Sequence, residues 1–161
     1  MNTSIGSPAT SPFSAFSYIS VDEAQTYFDT RLNTEAWDKA DVTRRLKSLI
    51  TATRLIDNLR FRGCKTEITQ STEFPRDGAT EIPTNIKIAT CECALQLLDD
   101  IDMEFEITGL SAAGDNYSTI QTTYNRNIIQ EHILNGIPSA IAWRFLKSYL
   151  ADINTVIVRR V

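Results

Sequence analysis

Residues 83–101 present a helix-length run whose apolar side chains cover most of a helical circumference, with Glu92, Gln96 and Asp99 as the only narrow polar strip. Such a helix is stable only when covered on nearly every side, so it must lie at the centre of its domain or beneath another subunit. Pro83 suits its first turn, where the missing N–H would have no intrahelical partner anyway. The rest of the fold has to be arranged around this element.

The clearest amphipathic pattern lies upstream, over residues 41–61. Val42, Leu46, Leu49, Thr53 and Ile56 recur at steps of four, three, four and three, with Ala52 and Leu59 widening the same face, which predicts a helix with one buried side. Lys47, Thr51, Arg54 and Asn58 line the opposite side, with Arg44 beside them. Gly63 is expected to end this helix. An earlier helix over 21–32 is announced by Ser20 and Glu23, spaced as a capping box in which each side chain satisfies the other's backbone N–H. A last helix is expected near Pro138, with Ala142, Phe145, Leu146, Tyr149 and Leu150 packing on one side.

Between these helices, residues 65–82 read as a loop with at most a short strand, because Phe74-Pro75-Arg76-Asp77-Gly78 places Pro and Gly as a turn requires. Phe105-Glu106-Ile107 and the run from Thr119 to Tyr124 flank a stretch of loop composition, which predicts a β-hairpin over 104–125. The expected fold is therefore mainly α: a small bundle of about four helices with a long loop at 63–82, a β-hairpin insertion and extended terminal arms. Residues 1–17, rich in Ser, Thr, Pro and Ala, are expected to be a flexible arm unless a neighbouring molecule pins them; 18–151 are expected to form the helical domain and 152–161 an extended tail. At 161 residues, one domain with a real core is the economical organisation.

Composition narrows the chemistry. No apolar run is long enough to cross a bilayer, and the N-terminus lacks a basic region followed by a hydrophobic core, so a cytoplasmic protein without membrane contact is expected. Cys64, Cys91 and Cys93 include no pair spaced for zinc or dithiol chemistry, and all three read as small buried residues. The single histidine, His132, has no nucleophile motif near it and reads as structural or exposed. An EF-hand starting at Asp100 would put Phe105 where glycine is needed and Ser111 where a bidentate glutamate belongs. No catalytic residues, metal site or cofactor are expected, and the chain does not read as an enzyme.

Charge is segregated along the chain. Residues 41–66 hold seven Lys or Arg against two Asp, leaving +5; residues 92–106 hold six Asp or Glu and no base, leaving −6. Two unrelated solvated faces would produce this pattern. So would a head-to-tail contact between copies, in which a basic face of Arg44, Lys47 and Arg54 meets an acidic face of Glu92, Asp99, Asp100 and Asp102. The same basic stripe could follow phosphates, although Phe61 is the only aromatic in that segment and the whole chain carries −4. The closing Val156-Ile157-Val158-Arg159-Arg160-Val161 is β-prone and needs a cover, within the domain or on a partner.

The order of the local signatures carries a resemblance. Tyr18-Ile19-Ser20-Val21-Asp22-Glu23-Ala24, Ala36-Trp37, Ala52-Thr53-Arg54-Leu55-Ile56-Asp57, Phe61-Arg62-Gly63, Phe74-Pro75-Arg76 and Ile82-Pro83 follow one another, and Ile137-Pro138 with Val158-Arg159-Arg160-Val161 close the series. Together they resemble the head-tail connector (adaptor, head-completion) proteins of tailed bacteriophages, including members labelled DnaT-like single-stranded-DNA-binding proteins. The resemblance implies a structural virion protein at the head-tail interface, assembled in the host cytoplasm. About a dozen copies would form a ring under the portal protein, extend the channel for packaged double-stranded DNA without binding it specifically, and dock tail or tail-completion proteins. Val156 to Val161 would then bind the portal or a neighbouring copy. The alternative it implies is a replication accessory that binds single-stranded DNA.

Overall fold

The computed structural model describes residues 16–100 and 130–151. Six α-helices occupy them: α1 (Val21–Phe28), α2 (Glu35–Lys39), α3 (Val42–Asp57), α4 (Thr84–Leu98), α5 (Glu131–Leu134) and α6 (Ala140–Leu146), the last running into a 3-10 turn at Lys147–Tyr149. Among the described residues there is no strand, only isolated antiparallel bridges between Phe61 and Leu150 and between Lys65 and Arg76. The hairpin expected at 104–125, Asp102, most of the N-terminal arm and the tail at 152–161 lie outside the described residues.

α4 is the central element. It packs against α3 and α6 and also touches α1 and α2. Ile86, Ala89, Thr90, Cys91, Glu92, Cys93, Ala94 and Leu95 are all buried on it. Each fully buried Ile or Leu contributes about 1.5–3 kcal/mol of hydrophobic stabilisation. Burial pushes the Cys91 thiol up to about 12, which makes it an inert packing group, and raises Cys93 as well. Cys64 departs from the expected burial: it sits exposed in the loop after α3.

The capping box of α1 is present as expected: Glu23 N–H donates to Ser20 Oγ at 3.2 Å and Ser20 N–H donates to Glu23 Oε2 at 3.1 Å. Order begins before it, because Tyr18 and Ile19 are already buried. α1 stops at Phe28 rather than near residue 32. The Thr30 hydroxyl donates to the Tyr27 carbonyl at 2.8 Å, and Asn33 takes a left-handed conformation, φ 59°. This turn brings in α2, a five-residue helix organised around Trp37, whose ring lies 4.5 Å from that of Phe28.

α3 buries Leu49, Ala52, Thr53 and Ile56 as the periodicity predicts. Val42 departs from the pattern, being 67% exposed in the first turn, where Asp100 beyond the end of α4 reaches only to Arg44. The helix also ends at Asp57, short of Phe61 and Gly63. Past its end, Arg62 N–H donates to the Tyr149 carbonyl and Ala151 N–H to the Arg60 carbonyl, both at 2.9 Å. Pairing with the chain after α6 thus competes with continuation of the helix and wins. Gly63, at φ 73°, serves the following turn instead; a Cβ there would run into the Asp77 carboxylate, which accepts a hydrogen bond from Cys64 N–H at 2.8 Å.

The loop from 63 to 82 is held by Arg76. Its guanidinium donates to the carbonyls of Arg62 and Gly63, at 2.8 and 2.7 Å, and pairs with Glu73. Phe74, preceding a cis peptide to Pro75, packs among the rings of Tyr18, Phe61 and Tyr149. The Tyr18 hydroxyl donates to Asp57 and accepts from the N–H groups of Glu73 and Phe74. Burial raises both the Tyr18 hydroxyl and the Asp57 carboxyl above their usual ranges. The Phe74-Pro75-Arg76 and Tyr18 signatures are therefore structural: they fasten the loop to the start of the domain and to the end of α3.

Candidate nucleic-acid interface

The basic face of α3 is exposed as the sequence predicts. Asp41 starts the helix by accepting the Arg44 N–H at 2.6 Å, and the buried face fixes its rotation. Arg44, Lys47, Thr51, Arg54 and Asn58 then lie on the solvent side. Lys47 and Arg54 have no ion-pair or hydrogen-bond partner among the described residues. Arg44 has a weak one: its Nη2 lies 3.9 Å from Asp100 Oδ1, with the two side chains 62% and 93% exposed. A pair so open to water contributes little to stability.

Not all the positive charge of this segment belongs to the stripe. Arg45 turns inward, where it donates to the Trp37 carbonyl and to Gln25 Oε1, each at 3.0 Å, and its guanidinium lies 5.2 Å from the centre of the Trp37 ring. Lys65 pairs with Glu73 at 3.0 Å. Arg60 is exposed just past the helix end.

The acidic residues divide in the same way. Asp99 and Asp100 are exposed beyond α4, with Asp100 left-handed at φ 61°. Glu92 does not belong with them. It is 1% exposed, and its carboxylate accepts from Tyr27 Oη at 2.6 Å and from Arg31 Nε and Nη2 at 2.6 and 2.9 Å. The expectation that Glu92 contributes to an acidic surface is therefore corrected: three donors from α1 and its following turn hold it inside the fold. Hydrogen bonding to Glu92 raises the Arg31 guanidinium further.

His132 is buried and structural, with Nδ1 2.8 Å from the Ile137 carbonyl and Nε2 3.0 Å from Gln130 Oε1. No group of His, Cys, Asp and Glu among the described residues could hold a metal ion. A cleft of about 200 Å³ is lined by Arg31, Asn33, Glu35, Ala36, Leu95, Gln96 and Asp99. Its one cation is already bound to Glu92, and no buried side-chain polar atom in the described fold lacks a partner. No described helix is long and apolar enough to cross a membrane.

Sequence reasoning finds the stripe because exposure follows directly from helical periodicity. It misses the Tyr27–Arg31–Glu92 cluster, for which the available signal was a lone glutamate in an otherwise apolar helix.

A family model described as "Putative DnaT-like ssDNA binding protein" matches residues 9–159. The chain belongs to this family. No curated protein and no solved structure matches it. The family description carries no connector function, so among the readings raised by the sequence it sides with the single-stranded-DNA binder.

Proposed function

We propose that the chain is a DnaT-like accessory protein that binds single-stranded DNA along the exposed face of α3. The observation that carries this reading is the row of Arg44, Lys47 and Arg54 on one solvent-facing side of a rigid helix, in a member of a family described by that activity. Cations set at fixed spacing release counterions from a phosphate backbone when they engage it, which is the main driving force of sequence-independent binding. The chemistry is binding alone, without catalysis or cofactor.

Replacing Arg44, Lys47 and Arg54 together with alanine is expected to weaken binding of a labelled oligothymidylate on the order of tenfold or more at low salt, read by fluorescence anisotropy. Helix content should be unchanged by circular dichroism, since all three side chains face solvent. Wild-type affinity in the triple variant would refute the assignment of the stripe.

A second reading, the bacteriophage head-tail connector, is favoured by the order of the local signatures and by the net charge of −4, which suits a channel through which DNA slides. In that reading about a dozen copies close a ring under the portal. The α3 stripe would then meet Asp99, Asp100 and Asp102 of a neighbouring copy, and Val156, Ile157, Val158, Arg159, Arg160 and Val161 would reach the portal or that neighbour. Within one chain Arg44 already lies 3.9 Å from Asp100, in a pair open to water. Quantitative mass spectrometry of purified tailed particles separates the readings: about a dozen copies per particle support the ring, and absence from particles removes it.

A further inference from the structure

The following rests on the single-stranded-DNA reading and narrows it. We infer that the α3 stripe recognises the sugar-phosphate backbone alone, over about three phosphates, and that Asp100 closes the footprint at its Arg44 end.

The side chains on this face are those that suit phosphate oxygens. Arg44, Lys47 and Arg54 supply charge-assisted donors, and Thr51 and Asn58, exposed between and beyond them, supply a hydroxyl and an amide. What the face lacks, among the described residues, is an aromatic platform on which bases could stack. Base stacking on an aromatic ring contributes about 1–3 kcal/mol per base in single-strand binders, and α3 contains no aromatic residue. Among the described residues Phe16 is the only exposed aromatic, and it precedes α1.

The two ends of the stripe differ. At the Arg44 end stand Asp99 and Asp100, both exposed, with the Asp100 carboxylate 3.9 Å from the guanidinium. A phosphate approaching Arg44 meets the like charge of that carboxylate. At the other end the carboxylate that closes α3 is withdrawn from solvent: Asp57 is half-buried and accepts hydrogen bonds from Tyr18 and Glu73. The next exposed basic residue along the chain is Arg60. A bound strand therefore extends past Asn58 and stops at Arg44.

The test is anisotropy of the full-length chain with two labelled oligonucleotides of equal phosphate number, an oligothymidylate and an abasic strand. A companion variant, Asp100→Asn, removes the charge while keeping a residue type that tolerates φ 61°. The inference predicts dissociation constants for the two strands within about twofold of each other. It also predicts that Asp100→Asn tightens both by roughly two- to fivefold at low salt, an advantage that disappears as salt screens the exposed pair. Thymidylate bound on the order of tenfold more tightly than the abasic strand would overturn backbone-only recognition while leaving single-strand binding intact. Unchanged affinity in Asp100→Asn would overturn the closure at Arg44. Failure of both strands to bind would overturn this inference together with the reading beneath it.

Discussion

Replacing Glu92 with alanine is expected to destabilise the fold by about 3 kcal/mol, measured as the shift in urea unfolding free energy. The carboxylate is 1% exposed and takes three donors, one from Tyr27 and two from Arg31. Arg31 also donates through Nη1 to the carbonyls of Leu32 and Asn33, at 2.7 and 3.1 Å, so the glutamate ties the turn after α1 to the central helix. Removing it leaves a guanidinium only 20% exposed without the carboxylate it is paired to. That residual solvent contact places the loss at the lower end of the range for broken buried pairs. The double variant Arg31→Ala/Glu92→Ala should lose less than the sum of the single changes, because the second removal relieves the unpaired charge left by the first. Additive losses would mean that the two groups are not coupled.

Trp37→Ala is expected to lose about 3–5 kcal/mol by the same measurement. Trp37 is fully buried, its indole N–H donates to Gln25 Oε1 at 3.0 Å, and its ring packs against Phe28. α2 has five residues and no side-chain cap, too little to be stable alone, so the tryptophan is what keeps it helical. Its loss also deprives Arg45 of the ring beneath its guanidinium. Trp37→Phe should retain part of the packing and fall between wild type and alanine. A loss below about 1 kcal/mol for Trp37→Ala would contradict the role given to this side chain.

These two sites show where the sequence was legible and where it was not. The Ser20–Glu23 capping box could be read because all of its physics lies within four residues. The two faces of α3 could be read because 16 consecutive residues repeat one period. The centrality of α4 follows from its apolar circumference, but the same pattern puts Glu92 on a surface strip, because its partners lie 61 and 65 residues away. α2 left no periodic trace, being shorter than two turns. The end of α3 is not legible locally: Gly63 is a good helix stop, whereas the backbone pairing that ends the helix comes from the Tyr149–Ala151 segment. In the candidate site, Arg44, Lys47 and Arg54 were visible as a row. The approach of Asp100 to Arg44 was not, because it depends on how α4 lies beside α3.

Binding of single-stranded DNA by the α3 face through its phosphates, as proposed, should show first in how wild-type affinity responds to salt. Dissociation constants for a labelled oligothymidylate, measured over a series of monovalent salt concentrations, should give log Kobs falling against log salt with a slope of about −2, as three phosphate contacts on a single strand require. Absence of binding at the lowest salt, or an affinity indifferent to salt, would contradict it.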